Sequence, residues 1–405
     1  MFCYQCEQTA KGSGCSSFGV CGKNPETASL QDLLIYALKD ISRYAHRARS
    51  MGSVDREINV FTVKAIFSTV TNVNFDQVRF QEFMKQAVKI REKAVDLYRR
   101  TAEDSGQKPE EFDCPVRWWE SVNNLTELIS AGEQVTIDYR LQELGEDVTG
   151  LQELIVYGIK GLASYADHAQ ILGREDDRIY EFIHRVFDYL TTAPDDTDRL
   201  FELAMECGAV NLLTMELLDE ANTGTYGHPE PTEVRVTPVK GKCILVSGHD
   251  LRDLEELLKQ TEGKDINVYT HGEMLPALAY PGLKKYSHLA GNYGGAWQDQ
   301  RTEFDAFPGP IVMTTNCLQK PKDSYKSRVF TCGVVGWPDV KHISGRDFSA
   351  VIESAEFEPG FEEDMKEQTI TIGFARNAVM NAAEKVVELV KAGKIRHFFL
   401  IGGCD

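Results

Sequence analysis

Residues Cys243–Glu273 read CILVSGHDLRDLEELLKQTEGKDINVYTHGE, and the fold class follows from how this stretch is built. Two apolar, β-branched runs flank a polar helical run, Asp253–Gln260. Each run ends in a turn carrying a metal-competent side chain: His249 after the first, His271 and Glu273 after the second. Short apolar runs bounded by glycine read as buried parallel strands. The pattern recurs downstream, where Gly309–Thr315 runs into Asn316 and Cys317, and His397–Ile401 runs into Gly402, Gly403, Cys404 and Asp405. Open α/β sheets place ligand groups just past the carboxyl ends of their strands. Four such ends carrying imidazole, carboxylate and two thiols point to one shared site. Hard oxygen beside soft sulfur favours a redox metal centre over plain zinc or magnesium.

Working outward, residues 223–365 read as a Rossmann-like parallel-sheet α/β domain, with strand and helix alternating. Val334–Trp337 is expected to add a strand, and Gly291–Gly295 reads as a tight turn, lacking the lysine and spacing of a phosphate loop. The acidic stretch Glu353–Glu363 marks a further boundary. Beyond it, residues 366–405 read as the start of a second α/β domain, with an amphipathic helix over Ala378–Lys391. Upstream, the breaker cluster Ala221–Pro231 closes a helical domain over residues 28–222. There Leu30, Leu33, Leu34, Ala37, Leu38 and Ile41 form a helical apolar stripe. A near copy follows 121 positions on: Leu30–Tyr36 matches Leu151–Tyr157, and Tyr44-Ala45 matches Tyr165-Ala166. The period is too long for a solenoid, so the reading is two three-helix bundles, closed by helices near Phe80–Thr101 and Leu200–Ala221. His46, His168 and His184 on these helices read as packed or surface residues.

Residues 1–27 form a Cys-rich loop. Cys3, Cys6, Cys15 and Cys21 follow the spacing C-x2-C-x8-C-x5-C among Gly12, Gly14, Gly19 and Gly22. Glycines let the backbone curl until several Cβ vectors converge. An iron–sulfur cluster is the leading reading, with zinc or unligated thiols as the alternative, since the second pair lacks zinc-ribbon spacing.

The chain has 405 residues, room for two or three domains. A formal net charge of −18 argues against nucleic acid or an anionic membrane as partner. No apolar run reaches the roughly 20 residues that span a bilayer, and no signal-peptide pattern opens the chain. A cytoplasmic protein is expected, whose ten cysteines are ligands or buried thiols rather than disulfides. Cys114, Cys207, Cys243 and Cys332 have no motif around them and read as packing. Cys317, following a strand in an Asn/Thr setting, is harder to explain that way. Asp250 is positioned in sequence to orient the His249 imidazole.

The N-terminal cysteine spacing, the paired helical repeats, GHDL, THGEMLPA, TTNCL and GGCD, in that order, resemble the hybrid-cluster protein (prismane) family. The resemblance runs from Met1 to Asp405. It implies a hydroxylamine reductase with distant kinship to carbon monoxide dehydrogenases, and nitric oxide reduction as the alternative activity. It implies that Cys3, Cys6, Cys15 and Cys21 hold a [4Fe-4S] cluster fed by a redox partner protein. It further implies that His249, Glu273, Cys317 and Cys404 are ligands of a hybrid [4Fe-2S-2O]-type cluster, with His249 and Glu273 in the catalytic role, His271 as a proton donor, and Cys404 able to carry a persulfide. The family chain continues past GGCD with further ligands: two cysteines, a glutamate and a lysine. The sequence in hand would therefore supply about half the shell and expose a sheet edge, and a non-catalytic iron–sulfur protein that binds nitric oxide or a partner is a further reading.

Overall fold

The structure is a computed structural model and describes residues 3, 5, 6 and 14–401. The chain is mostly helical, with a parallel-sheet α/β region, and divides into two compact units. The helical unit comprises Met1–Ala221 with Thr315–Lys320 and Thr331–His342. The α/β unit comprises Asn222–Thr314, Pro321–Phe330 and Ile343–Asp405.

In the helical unit the repeat is visible element by element. Helices α1 (Pro25–Ser50), α2 (Arg56–Ser68) and α3 (Gln77–Asp104) form the first copy. After α4 (Leu125–Glu133), the second copy is α5 (Ile137–Ile171), α6 (Asp177–Leu190) and α7 (Thr197–Tyr226). Caps repeat with the helices: Asp55 accepts from the backbone N–H groups that open α2, and Asp176 does the same for α6. Gln31 and Gln152 also match, each donating its side-chain amide to a backbone carbonyl, of Asn74 and of Pro194. The apolar stripe of α1 is fully buried, with Leu30, Leu33, Leu34, Ala37, Leu38 and Ile41 inaccessible to solvent. It packs on α3 of its own copy and on α6 of the other, while α2 packs on α5, so the bundles share one core. The sequence pattern did not show α4, nor the break in α5 at Gly145, which adopts φ 79°.

His184 lies in that shared core. Its Nδ1 is 3.0 Å from Ser42 Oγ and its Nε2 is 3.1 Å from Asn59 Oδ1. Burial, helped by the nearby Arg49 and His46, pulls its pKa down to about 3. The unfolded chain therefore takes up a proton below about 6.5 that the folded chain refuses. Stability is expected to fall as pH drops from about 6.5 towards 3, by up to about 1.4 kcal/mol per pH unit. Thermal melts between pH 4 and 7 test this, and a His184→Gln variant should show a flatter dependence.

The α/β unit carries β1 (Thr232–Arg235), β2 (Lys242–Ser247), helix α8 (Leu251–Thr261), β3 (Ile266–His271), β4 (Leu289–Asn292), β5 (Ile311–Met313) and β6 (Val329–Thr331), the last ending where the chain enters the helical unit. β7 is the short Lys341–His342. The sheet order is β4-β3-β2-β5-β6, and β2 runs parallel to both β3 and β5. Both central strands are almost wholly buried, as strands covered on two faces must be. Gly309 is required before β5, because a Cβ there would collide with the Cys243 carbonyl. β8 (Thr369–Ile372) pairs antiparallel with β1.

Three expected elements differ. Val334–Trp337 is not a strand; only Gly336 bridges, to Asn74. The helix over Ala378–Lys391 is broken at Ala382 into Arg376–Asn381 and Ala383–Lys391. The run His397–Ile401 forms no strand, and Phe398–Ile401 are exposed. A strand needs a hydrogen-bonding neighbour, and among the described residues this run has none.

Candidate metal and redox site

The register of β2 on β3 decides which side chains meet. Ser247 pairs with His271, so the two strands end level. Each is followed by a glycine in the positive-φ region, Gly248 (φ 109°) and Gly272 (φ 55°), and then by His249 or Glu273. With parallel strands about 4.8 Å apart, two exits through a positive-φ glycine put the next residues side by side. His249 Nε2 and Glu273 Oε2 are 2.5 Å apart, and both side chains keep roughly a quarter to a third of their surface exposed, at 30% and 27%. This is an accessible imidazole–carboxylate pair at the carboxyl end of the sheet.

Beneath it His271 is fully buried. Its Nδ1 is 3.1 Å from Ser247 Oγ and its Nε2 is 2.8 Å from Glu303 Oε2. Phe304 packs edge-on against the ring. Burial pushes the Glu303 carboxyl up, but hydrogen bonds from His271 and from the Gly295 amide outweigh it, and its pKa is lowered. Glu303 was not read from the sequence. Its only signal is a carboxylate on the helix Gln300–Ala306, facing the Gly291–Gly295 segment. Asp250 does not take the expected orienting role. Its carboxylate caps α8, accepting from Arg252 N and Asp253 N, and Arg346 lies 3.6 Å from it.

Cys317 belongs to the helical unit, four residues after β5, and Leu318 N donates to the Asn72 carbonyl. Cys317 is buried and has φ 72°. A non-glycine residue in this region stores strain of order 1 kcal/mol, the kind of backbone kept where a side chain must be aimed. Cys404 lies outside the described residues.

The N-terminal cysteines converge by a short bridge. Cys3 N donates to Cys15 O (3.0 Å) and Cys15 N to Cys3 O (2.7 Å). Lys23 Nζ lies 3.5 Å from Cys3 Sγ. Burial raises the Cys21 pKa, opposed by Lys23 and reinforced by the charges of Cys3 and Cys6, which places those thiols within electrostatic reach of one another. Gly14 (φ 110°) and Gly22 (φ 97°) supply the curl. Among the described residues, no three His, Cys, Asp or Glu side chains close around a single ion. A cubane asks for something else: four thiolates spread around a multi-atom core, with a cation nearby to offset their charge. The four cysteines and Lys23 fit that demand. His249 and Glu273 fit a pair of neighbouring ligands, one nitrogen and one oxygen.

The remaining cysteines are packing residues. Burial pushes Cys207 and Cys243 up to about 12, far from a reactive thiolate. Cys114 is buried beside Tyr36, and Cys332 is buried as well. No helix is long and apolar enough to cross a membrane among the described residues.

Comparison with known proteins bears on these arrangements. The model of the Prismane/CO dehydrogenase family matches residues 1–405. The chain is 52% identical over 405 residues to a hydroxylamine reductase of Syntrophobacter fumaroxidans, covering all of this chain and 74% of that one. It is 52% identical over 409 residues to a hydroxylamine reductase of Thermodesulfovibrio yellowstonii, again covering all of this chain and 74% of the relative. Among solved structures, a nickel-free carbon monoxide dehydrogenase from Thermococcus sp. AM4 aligns with a TM-score of 0.41 and 14% identity. That alignment covers 97% of this chain, which spans 62% of the dehydrogenase chain.

Proposed function

This chain belongs to the Prismane/CO dehydrogenase family, and from that premise we propose that it is an iron–sulfur oxidoreductase that reduces hydroxylamine. The reaction takes two electrons and two protons: the N–O bond breaks, nitrogen leaves as ammonia and oxygen as water. The observation that carries the proposal is the His249–Glu273 pair, 2.5 Å apart and accessible at the sheet's carboxyl end, in a chain whose relatives at about half identity are named hydroxylamine reductase.

In this reading Cys3, Cys6, Cys15 and Cys21 hold a [4Fe-4S] cluster that receives electrons from a donor protein. His249, Glu273, Cys317 and Cys404 contribute ligands to a hybrid iron–sulfur–oxygen cluster. When bound, such a centre supplies electrons and Lewis acidity. The protein's own part is orientation and proton supply. His271 is clamped between Ser247 and Glu303, which fixes the strand end from which Glu273 projects. The His271 Nε2–Glu303 Oε2 hydrogen bond holds a proton inside the fold, and Glu303, with 22% of its side chain accessible, is the end that exchanges with solvent.

The test is iron and acid-labile sulfide on anaerobically purified protein, with electron paramagnetic resonance and ammonia release from hydroxylamine on the same sample. About eight irons per chain and one ammonia per two electrons consumed are expected. About four irons with no ammonia would replace the proposal with an electron-transfer protein carrying the N-terminal cluster alone.

A further inference from the structure

The helical unit holds a part-open chamber of about 270 Å³ whose walls, Cys3 and Lys23 at one end apart, take no part in the reaction above. Its walls come from the duplicated helices, and from the same positions on each. α1 contributes Asp32, Tyr36 and Lys39, and α5 contributes Glu153, Tyr157 and Lys160, each 121 positions later. Carboxylate and ammonium lie seven residues apart on both helices, two turns along one face. The repeat has thus built a chamber with two carboxylates, two phenols and two ammonium groups in matched places.

The two halves are neutralised unequally. Glu153 Oε1 is 2.5 Å from Arg140 Nη2, and Asp40 Oδ1 is 3.0 Å from Arg43 Nη2, so these charges are paired within the protein. Lys160 Nζ is held 3.1 Å from the side-chain oxygen of Gln5, in the amide orientation that also lets Gln5 donate to Thr69 O. Neither Asp32 nor Lys39 has a hydrogen-bond or ion-pair partner among the described residues, although both line the chamber. Gln31, 2% exposed and also lining it, has a side-chain oxygen without a donor among the described residues. Burial pulls Lys39 down to about 8 and pushes Asp32 up to about 6, the cost of holding these charges away from water.

With those pairs set aside, the walls carry three ammonium groups, Lys23, Lys39 and Lys160, against two carboxylates, Asp32 and Asp113. One negative charge is missing. Two acceptors, Asp32 and the Gln31 oxygen, also need a donor. A bound molecule that satisfies both demands is an anion that carries an O–H group. A chamber of about 270 Å³ has room for one small organic acid with water beside it. We propose that this chamber is a binding site for a small hydroxycarboxylate, its carboxylate on Lys39 and Lys160 and its hydroxyl on Asp32 and Gln31. The same residues also adjoin Cys3 and Lys23, which line one end of the chamber.

The experiment is isothermal titration of the full iron-loaded protein with lactate, and with acetate as the probe that lacks the hydroxyl. Lactate is expected to bind at a single site per chain, with acetate at least about tenfold weaker, as loss of a hydrogen bond to a charged group requires. Lys39→Met, which keeps the aliphatic stem, and Asp32→Asn should each weaken lactate by about tenfold or more while iron content stays at the parent value. Absence of binding at millimolar lactate would overturn the proposal and leave a water-filled chamber. Binding unchanged in both variants would overturn it too, since lactate would then sit elsewhere. The iron measurement keeps this outcome separate from the hydroxylamine reading, which stands or falls on its own assay.

Discussion

Glu273→Ala is expected to lower hydroxylamine turnover by about 10²-fold or more, while the iron and spectrum of the N-terminal cluster remain. The reason lies in how the residue is placed. β3 ends at His271, Gly272 turns the chain at φ 55°, and the carboxylate comes to rest 2.5 Å from His249 Nε2. Truncation removes the oxygen proposed as a ligand and leaves the imidazole nitrogen of His249 without that partner. The four cysteines belong to the other unit, and the cluster proposed on them takes no ligand from Glu273. The pair is part-exposed, so its loss should change stability by less than about 1 kcal/mol, and a large loss of activity cannot then be put down to unfolding. Glu273→Gln sharpens the result. It keeps shape and one acceptor oxygen but not the charge, so turnover close to that of Glu273→Ala would identify the carboxylate's charge as what matters. Parent-level turnover in both variants would remove Glu273 from the site.

How much of this was readable beforehand depends on the range of the interaction. The exits Ser247-Gly248-His249 and His271-Gly272-Glu273 are local, and apolar runs ending in glycine announce them. That these exits stand level is a matter of register, Ser247 opposite His271, which no single strand encodes. Asp250 shows the reverse error. A carboxylate next to a histidine suggests a ring-orienting role, but a helix starts at Leu251, and its open N–H groups claim Asp250 first. Glu303 was invisible because it meets His271 from a helix 32 residues away. The run His397–Ile401 has the composition of a buried strand, yet composition supplies no pairing edge. In the helical unit the duplication was legible and its consequence was not. Matching Asp32 with Glu153 and Lys39 with Lys160 needs only the sequence, whereas a shared chamber needs the helices packed.

Cys317 gives the second large effect, and its backbone allows the thiol's role to be separated from its surroundings. If the thiol is a ligand, Cys317→Ala should reduce iron from about eight per chain to about four and remove the second paramagnetic signal, with ammonia production falling to background. A structural thiol would predict a different pattern, namely loss of stability with metal retained. Comparison of Ala with Gly at this position decides between them. The residue sits at φ 72°, where alanine pays the same steric penalty as cysteine and glycine pays none. Cys317→Gly should therefore be more stable than Cys317→Ala by roughly 1 kcal/mol, read as a higher melting temperature, yet equally poor in iron. Strain relieved without recovery of metal would mean that the backbone is bent to present a sulfur ligand. Recovery of iron and turnover in the glycine variant would mean that the bend itself, rather than the sulfur, is what the site requires.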